Sequence, residues 1–276
     1  MLIVAPTAQD AVGPSLPAHY RALYQSYPGS KELVIVFSPT RNFVMVKTDW
    51  RRNVLFLADK RANYYAQYPG RAVSGLLRFL REQGIEKTLF FGTSKGGFGA
   101  LLWTALCAQK APTLMWRCVA FSPQTLLVPL NERLYFPSYK NMMLRAERDP
   151  VLMQNLTRYG DAKVIEGLPN VFVTIVYSEK NRVDAEEASR LFGPNIRKLP
   201  LPFAFHGTLF PFVMDRSDPT ALREFVTRIY KDIIVDPDLA ATLPRNPDEL
   251  ASAILQTQWI PSLDTLLSEI FSVLTH

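Results

Sequence analysis

The run Leu89-Phe90-Phe91-Gly92-Thr93-Ser94-Lys95-Gly96-Gly97-Phe98-Gly99-Ala100-Leu101-Leu102 constrains the fold of this 276-residue chain more than any other stretch. A short apolar segment stops at Gly-x-Ser-x-Gly and passes at once into the helix-forming Ala100-Leu101-Leu102-Trp103-Thr104-Ala105-Leu106. Strand, sharp turn and helix in that order are the layout of a nucleophile elbow, with Ser94 at its tip. Gly92 and Gly96 have a mechanical reason to be glycine, because so tight a turn brings neighbouring backbone too close for a side chain.

The rest of the chain supplies the sheet that such an elbow needs. Glu32-Leu33-Val34-Ile35-Val36-Phe37 is a continuous β-branched run and predicts a strand buried on both faces. Phe43-Val44-Met45-Val46, Asn53 to Ala58, Trp116 to Phe121, Val171 to Tyr177 and Ile196 to Leu199 predict further strands. Between them Val73, Leu76, Leu77 and Leu80 fall on one helical face that ends at Gly84. A helix opened by Asp184, and another over about 219–233, complete the alternation. The fold class expected is therefore α/β: a mainly parallel sheet with helices on both faces.

Three segments sit outside that alternation. Residues 1–30 carry Pro6, Gly13, Pro14, Pro17, Pro28 and Gly29 and read as an irregular lead-in, with a short helix near His19 to Gln25 and His19 on its surface. Residues 124–170 read as a helical insertion, either a cap over a pocket or a plain crossover. Residues 236–276 read as a helical C-terminal extension on a main domain of residues 1–235. Its last helix puts Leu263, Leu266, Leu267, Ile270 and Leu274 on one face, which packs on its own domain or, as the alternative, forms a homodimer contact.

Composition removes several function classes. With 48% hydrophobic and 20% charged residues the chain has the make-up of an ordinary globular domain. A net charge of +6 is scattered and accompanies no nucleic-acid motif, so no nucleic-acid partner is expected. Cys107 and Cys118, with His19, His206 and His276, give no metal-ligand spacing, and no cofactor is expected. Gly92 to Gly97 lacks the Gly-Lys-Ser/Thr order of a phosphate loop, and Gly96-Gly97-Phe98-Gly99 lacks dinucleotide-fingerprint spacing. The opening Met1-Leu2-Ile3-Val4-Ala5-Pro6 has no basic segment and too short an apolar run for a secretory signal, and no stretch reaches the ~18 apolar residues of a membrane span. A cytoplasmic location is the expectation.

In parallel sheets, active groups gather at the carboxyl ends of the strands. Ser94, Asp184 and His206 each follow a strand, and His206 is the one histidine placed to serve Ser94, because His19 precedes the sheet and His276 is the last residue. A histidine among Phe203, Phe205, Phe210 and Phe212 would otherwise read as a core residue bonded to backbone. For the acid, Asp184 at the helix start competes with Glu179, which stands closer to the strand end; helix capping is the alternative role for Asp184.

With Gly92-Thr93-Ser94-Lys95-Gly96 as the elbow and Ser, acid and His in that chain order, the sequence over about residues 30–233 resembles the α/β-hydrolase superfamily. The runs Phe91 to Gly97 and Phe121-Ser122-Pro123-Gln124 look more like bacterial serine esterases and hydrolases found with surface-polysaccharide genes than like lipases. The chain departs from the commoner pattern at Asn181, where relatives often carry Asp, and it lacks a His-Gly-Gly signature after the early strand. The resemblance implies a Ser94-His206-Asp184 triad and an oxyanion hole made by the Lys95 amide and a second amide, from Thr40 or Arg41, since Pro39 has no N–H to donate. The function expected is a serine esterase or deacylase working through an acyl-enzyme on a small or carbohydrate-linked ester. A binding or assembly module on the same scaffold, and an acyltransferase using the same triad, are the alternatives.

Overall fold

The computed structural model describes residues 13–233 and 243–273. Seven strands form one sheet in the order β1-β3-β2-β4-β5-β6-β7. They are β1 (Tyr20–Gln25), β2 (Glu32–Phe37), β3 (Asn53–Asp59), β4 (Lys87–Thr93), β5 (Trp116–Phe121), β6 (Val171–Ser178) and β7 (Ile196–Leu201). Only β1 runs antiparallel, against β3; every other neighbouring pair is parallel. The expected α/β architecture is the one observed.

Period-two alternation divides the sheet residues between two cores. Leu33, Ile35, Phe37, Leu55, Phe90 and Cys118 face one layer, packed under α1 (Pro69–Glu82) and α2 (Lys95–Lys110). Val34, Val36, Phe56, Phe91, Val119 and Phe121 face the other, under α7 (Pro219–Ile233), α8 (Pro247–Leu255) and α9 (Leu263–Ser272). Strands covered on both faces bury nearly every side chain, which is why β2 and β3 carry the long apolar runs Leu33–Phe37 and Val54–Ala58, and why β5 is buried throughout although it holds Arg117.

Two expected elements differ. Tyr20–Gln25 is a strand, with Tyr20 and Tyr24 buried and Arg21 and Leu23 exposed, an alternation that suits an edge strand better than a helix. His19 sits in the turn before it, half-buried, with Nε2 against the Gln67 carbonyl at 3.1 Å. Phe43 to Val46 forms no strand: β2 is already paired on both sides by β3 and β4, and Met45 adopts φ 60°. The apolar side chains of that loop pack instead against the second core.

Between β5 and β6 the insertion holds α3 (Pro137–Ala146), α4 (Pro150–Tyr159) and a 3₁₀ turn at Ala162–Ile165. After β6 come α5 (Arg182–Ser189) and, past β7, the short α6 (Phe210–Val213). The apolar face of α9 is buried within the chain: Leu263, Leu266, Leu267 and Ile270 all lie in the second core. Arg117, buried in β5, donates from Nε to the Ile270 carbonyl at 3.1 Å and from Nη2 to the Val273 carbonyl at 2.9 Å. A cation on the last carbonyls of a helix satisfies groups that have no intrahelical donor. Arg52 adds bonds to Asp264 at 2.9 Å and to Ser268 at 2.8 Å. The 235/236 boundary, Met1 to Pro6, Leu274 and His276 lie outside the described residues.

Candidate active site

Ser94 joins β4 to α2 with φ 53° and ψ −120°, a backbone conformation that non-glycine residues rarely hold. Its N–H donates to the Phe121 carbonyl at 2.8 Å and its carbonyl accepts from Phe98 at 3.2 Å, so the turn is pinned from both sides. A Cβ built at Gly92 would run into the Gly96 carbonyl, and one at Gly96 into the carbonyl of Phe37 on β2. The glycines are there because backbone occupies the space a side chain would need. The Ser94 side chain is half-buried, and its Oγ accepts a hydrogen bond from Gln124 Nε2 at 3.0 Å.

Asp184 lies in the first turn of α5 and is buried. The capping role falls to Asn181, whose side chain accepts from the Asp184 N–H at 3.2 Å. The Asp184 carboxylate points elsewhere: Oδ1 is 2.5 Å from His206 Nδ1, and Oδ2 accepts from Ser122 Oγ at 2.6 Å. Thr208 Oγ1 lies a further 2.9 Å from Ser122 Oγ. A carboxylate only accepts, so Nδ1 of His206 is the donor in this bond, and in the neutral imidazole that tautomer puts the lone pair on Nε2. Nε2 is buried and makes no hydrogen bond among the described residues. Phe136, leading into α3, packs on the imidazole with ring centroids 5.0 Å apart, so the insertion supplies one wall beside the histidine.

Glu179 is exposed and holds the loop through its backbone, donating to the Leu201 carbonyl at 2.9 Å; Asp184 is the acid against His206. The negative charge of Asp184 also reaches Tyr135, whose phenol is pushed up first by burial and then by that charge. One turn further along α5, buried Glu187 accepts from the Thr125 N–H at 2.6 Å, the Thr125 hydroxyl at 2.8 Å and Asn131 Nδ2 at 2.7 Å. These bonds moor the helix that carries Asp184 to the start of the insertion.

Lys95 opens α2, where first-turn amides face out of the helix. A small cleft of about 10 Å³, room for about one water molecule, brings it together with Ser38, Pro39, Thr40 and Tyr64; Arg41, exposed, is not among the lining residues. The far wall is a loop organised by buried Asp59, which accepts from the Asn63 amide at 2.7 Å and the Tyr65 amide at 3.2 Å. The Tyr65 hydroxyl donates to the carbonyls of Ser38 and Leu57, holding the loop after β2 in place.

Rival nucleophiles are suppressed by burial, which pushes the Cys118 thiol up to about 12 and the Cys107 thiol higher still. No cluster of three or more His, Cys, Asp or Glu able to hold a metal occurs among the described residues. Within the same residues no helix is long and apolar enough to cross a membrane. Sequence reasoning did not assign roles to Ser122, Gln124, Thr208 or Glu187. The Ser-Pro pair closing β5 was the one local signal, since a strand that ends in a fixed turn can aim the next side chains at the sheet's carboxyl edge.

Strand order, elbow, and an acid and a histidine following β6 and β7 define an α/β-hydrolase fold. No family model matches the sequence, and no curated protein matches it. Solved structures similar to this chain include MGS-MChE2, an α/β hydrolase enzyme from the metagenome of lagoon sediments at Mar Chica, Morocco, at 14% identity over 80% of this chain and 99% of that one, TM-score 0.44. The serine hydrolase CCSP0084 of Cycloclasticus zankles is 13% identical over 81% of this chain and 98% of that one, TM-score 0.45. The capsule O-acetyltransferase of Neisseria meningitidis serogroup A is 15% identical over 82% and 98%, TM-score 0.40.

Proposed function

We propose that this protein is a serine hydrolase, an esterase or deacylase that forms an acyl-enzyme on Ser94 with a small or carbohydrate-linked ester. The observation that carries the reading is a strained elbow serine after β4 and a buried Asp184-His206 pair bonded at 2.5 Å after β6 and β7, all three following carboxyl ends of strands in one sheet. In this reading His206 Nε2 takes the Ser94 proton as Oγ attacks the ester carbonyl, and Asp184 stabilises the imidazolium that forms. His206 then returns that proton to the departing alkoxide. The amides of Lys95 and Thr40 receive the oxyanion, supported by the narrow cleft that they share. Water, activated in turn by His206, resolves the acyl-enzyme.

Fluorophosphonate labelling followed by peptide mapping tests the reading. Native protein is expected to label on Ser94, and Ser94→Ala to abolish the signal. Labelling that survives the substitution, or native protein that never labels, overturns the proposal. Product analysis with a competing alcohol then separates hydrolysis from acyl transfer, because only the acceptor differs.

A further inference from the structure

We propose that the turn Ser122-Pro123-Gln124 is a second working part of this site: Gln124 is a catalytic donor to the nucleophile, and Ser122 positions the acid. The inference rests on the serine-hydrolase reading above. Three residues at the end of β5 touch the two halves of the machinery. Phe121 accepts the Ser94 N–H at 2.8 Å, Gln124 Nε2 donates to Ser94 Oγ at 3.0 Å, and Ser122 Oγ donates to Asp184 Oδ2 at 2.6 Å.

Each member pays a cost that packing alone does not explain. Gln124 is 1% exposed, yet its Oε1 has no hydrogen-bond partner among the described residues. An apolar side chain of that length would be the stabler choice for a buried position, so the amide is kept for its donor. Ser122 holds φ 43° although it is not glycine. That turn aims its hydroxyl at Asp184, and because the carboxylate only accepts, the Thr208 hydroxyl donates to Ser122 in turn. Both oxygens of Asp184 are thereby fixed, one by His206 and one by Ser122. Pro123 locks the turn against the first turn of α2, where a Cβ on Gly97 would come within 3.0 Å of the proline ring.

The Gln124 donor acts where charge changes hands. In acylation the Ser94 O–H bond breaks, its proton goes to His206 Nε2, the Oγ electron pair forms the new C–O bond, and the ester's alkoxide leaves with the pair of its own C–O bond and takes that proton from His206. In deacylation a water oxygen bonds to the carbonyl carbon as its proton passes to His206 Nε2, the C–Oγ bond breaks, and Oγ keeps that pair and takes that proton from His206. An N–H already directed at Oγ stabilises the partial negative charge in both steps.

The test uses the full chain, a fluorophosphonate probe and p-nitrophenyl acetate. Gln124→Met keeps length and removes the donor; it is expected to slow Ser94 labelling and lower kcat about tenfold or more, with KM within about twofold. Ser122→Ala is expected to lower kcat similarly and also to displace the far-downfield proton resonance of the His206–Asp184 bond, which Gln124→Met leaves in place. Thr208→Val, one step further out, gives a smaller displacement of the same resonance and keeps the test open if Ser122→Ala folds poorly. Native labelling rates in both Gln124→Met and Ser122→Ala overturn the proposal while leaving the serine-hydrolase reading intact. So does a loss that follows only the folded fraction, with the resonance unmoved. Native protein that never labels overturns the hydrolase reading itself, and this proposal with it.

Discussion

The two halves of the site are built from different materials. On the nucleophile side, backbone does the positioning: Ser94 is held by main-chain bonds to Phe121 and Phe98, and Gly92 and Gly96 let main chain pass where side chains would collide. On the acid and histidine side, side chains do it: Asn181 caps α5, Glu187 moors it, and Ser122 and Thr208 steady Asp184 against His206. The first half is rigid because it belongs to the sheet. The second is assembled from loops, and its precision depends on polar contacts that a single substitution can remove.

That difference sets how substitutions are expected to act. Among substitutions that keep Ser94, Asp184→Asn should be the most damaging to turnover, by about 10⁴-fold in kcat/KM, because an amide can donate to Nδ1 and favour the wrong tautomer. Ester hydrolysis measured alongside thermal unfolding checks it, and a loss of activity that only mirrors unfolding would erase the contrast between the halves. Gly96→Ala should act through the fold instead, destabilising by about 3 kcal/mol or more, since the Phe37 carbonyl belongs to a paired strand and cannot step aside. Denaturant unfolding reads this directly; a change below about 1 kcal/mol would mean that the elbow is softer than its geometry implies. The smallest change in stability is expected from Ser94→Gly. Relieving φ 53° should raise stability by about 1 kcal/mol net of glycine's entropy while abolishing labelling. A stability loss there would show that the serine side chain, and not the backbone, holds the turn.

The same division explains what was legible before any coordinates. The elbow could be read because its signal is local: an apolar strand, fixed glycine spacing and an immediate helix. Val171–Ser178 and Pro219–Ile233 were legible for the same reason, each with the period of its own element. Phe43 to Val46 misled because an apolar run signals burial, and burial after a strand already paired on both sides gives a packed loop. Tyr20–Gln25 misled because six residues are too few for periodicity to separate a strand from a helix. Asp184 and Glu179 stayed in competition because nothing local says which carboxylate faces a histidine 22 residues on from Asp184. The partners of Ser122 lie 62 and 86 residues away, and such contacts leave no mark in a local pattern.

The arginine near the start of β5 depends on the last helix of the described chain. The carbonyls that receive Arg117 are 153 and 156 residues further along the chain. At a ribosomal pace of about 5–20 residues per second, that strand waits roughly ten to thirty seconds for them. Until then the guanidinium lacks the helix-end carbonyls that receive it in the finished fold. A chain cut short before Leu263 would never supply them, at the opposite end of the very strand whose far tip holds Ser122 and Gln124.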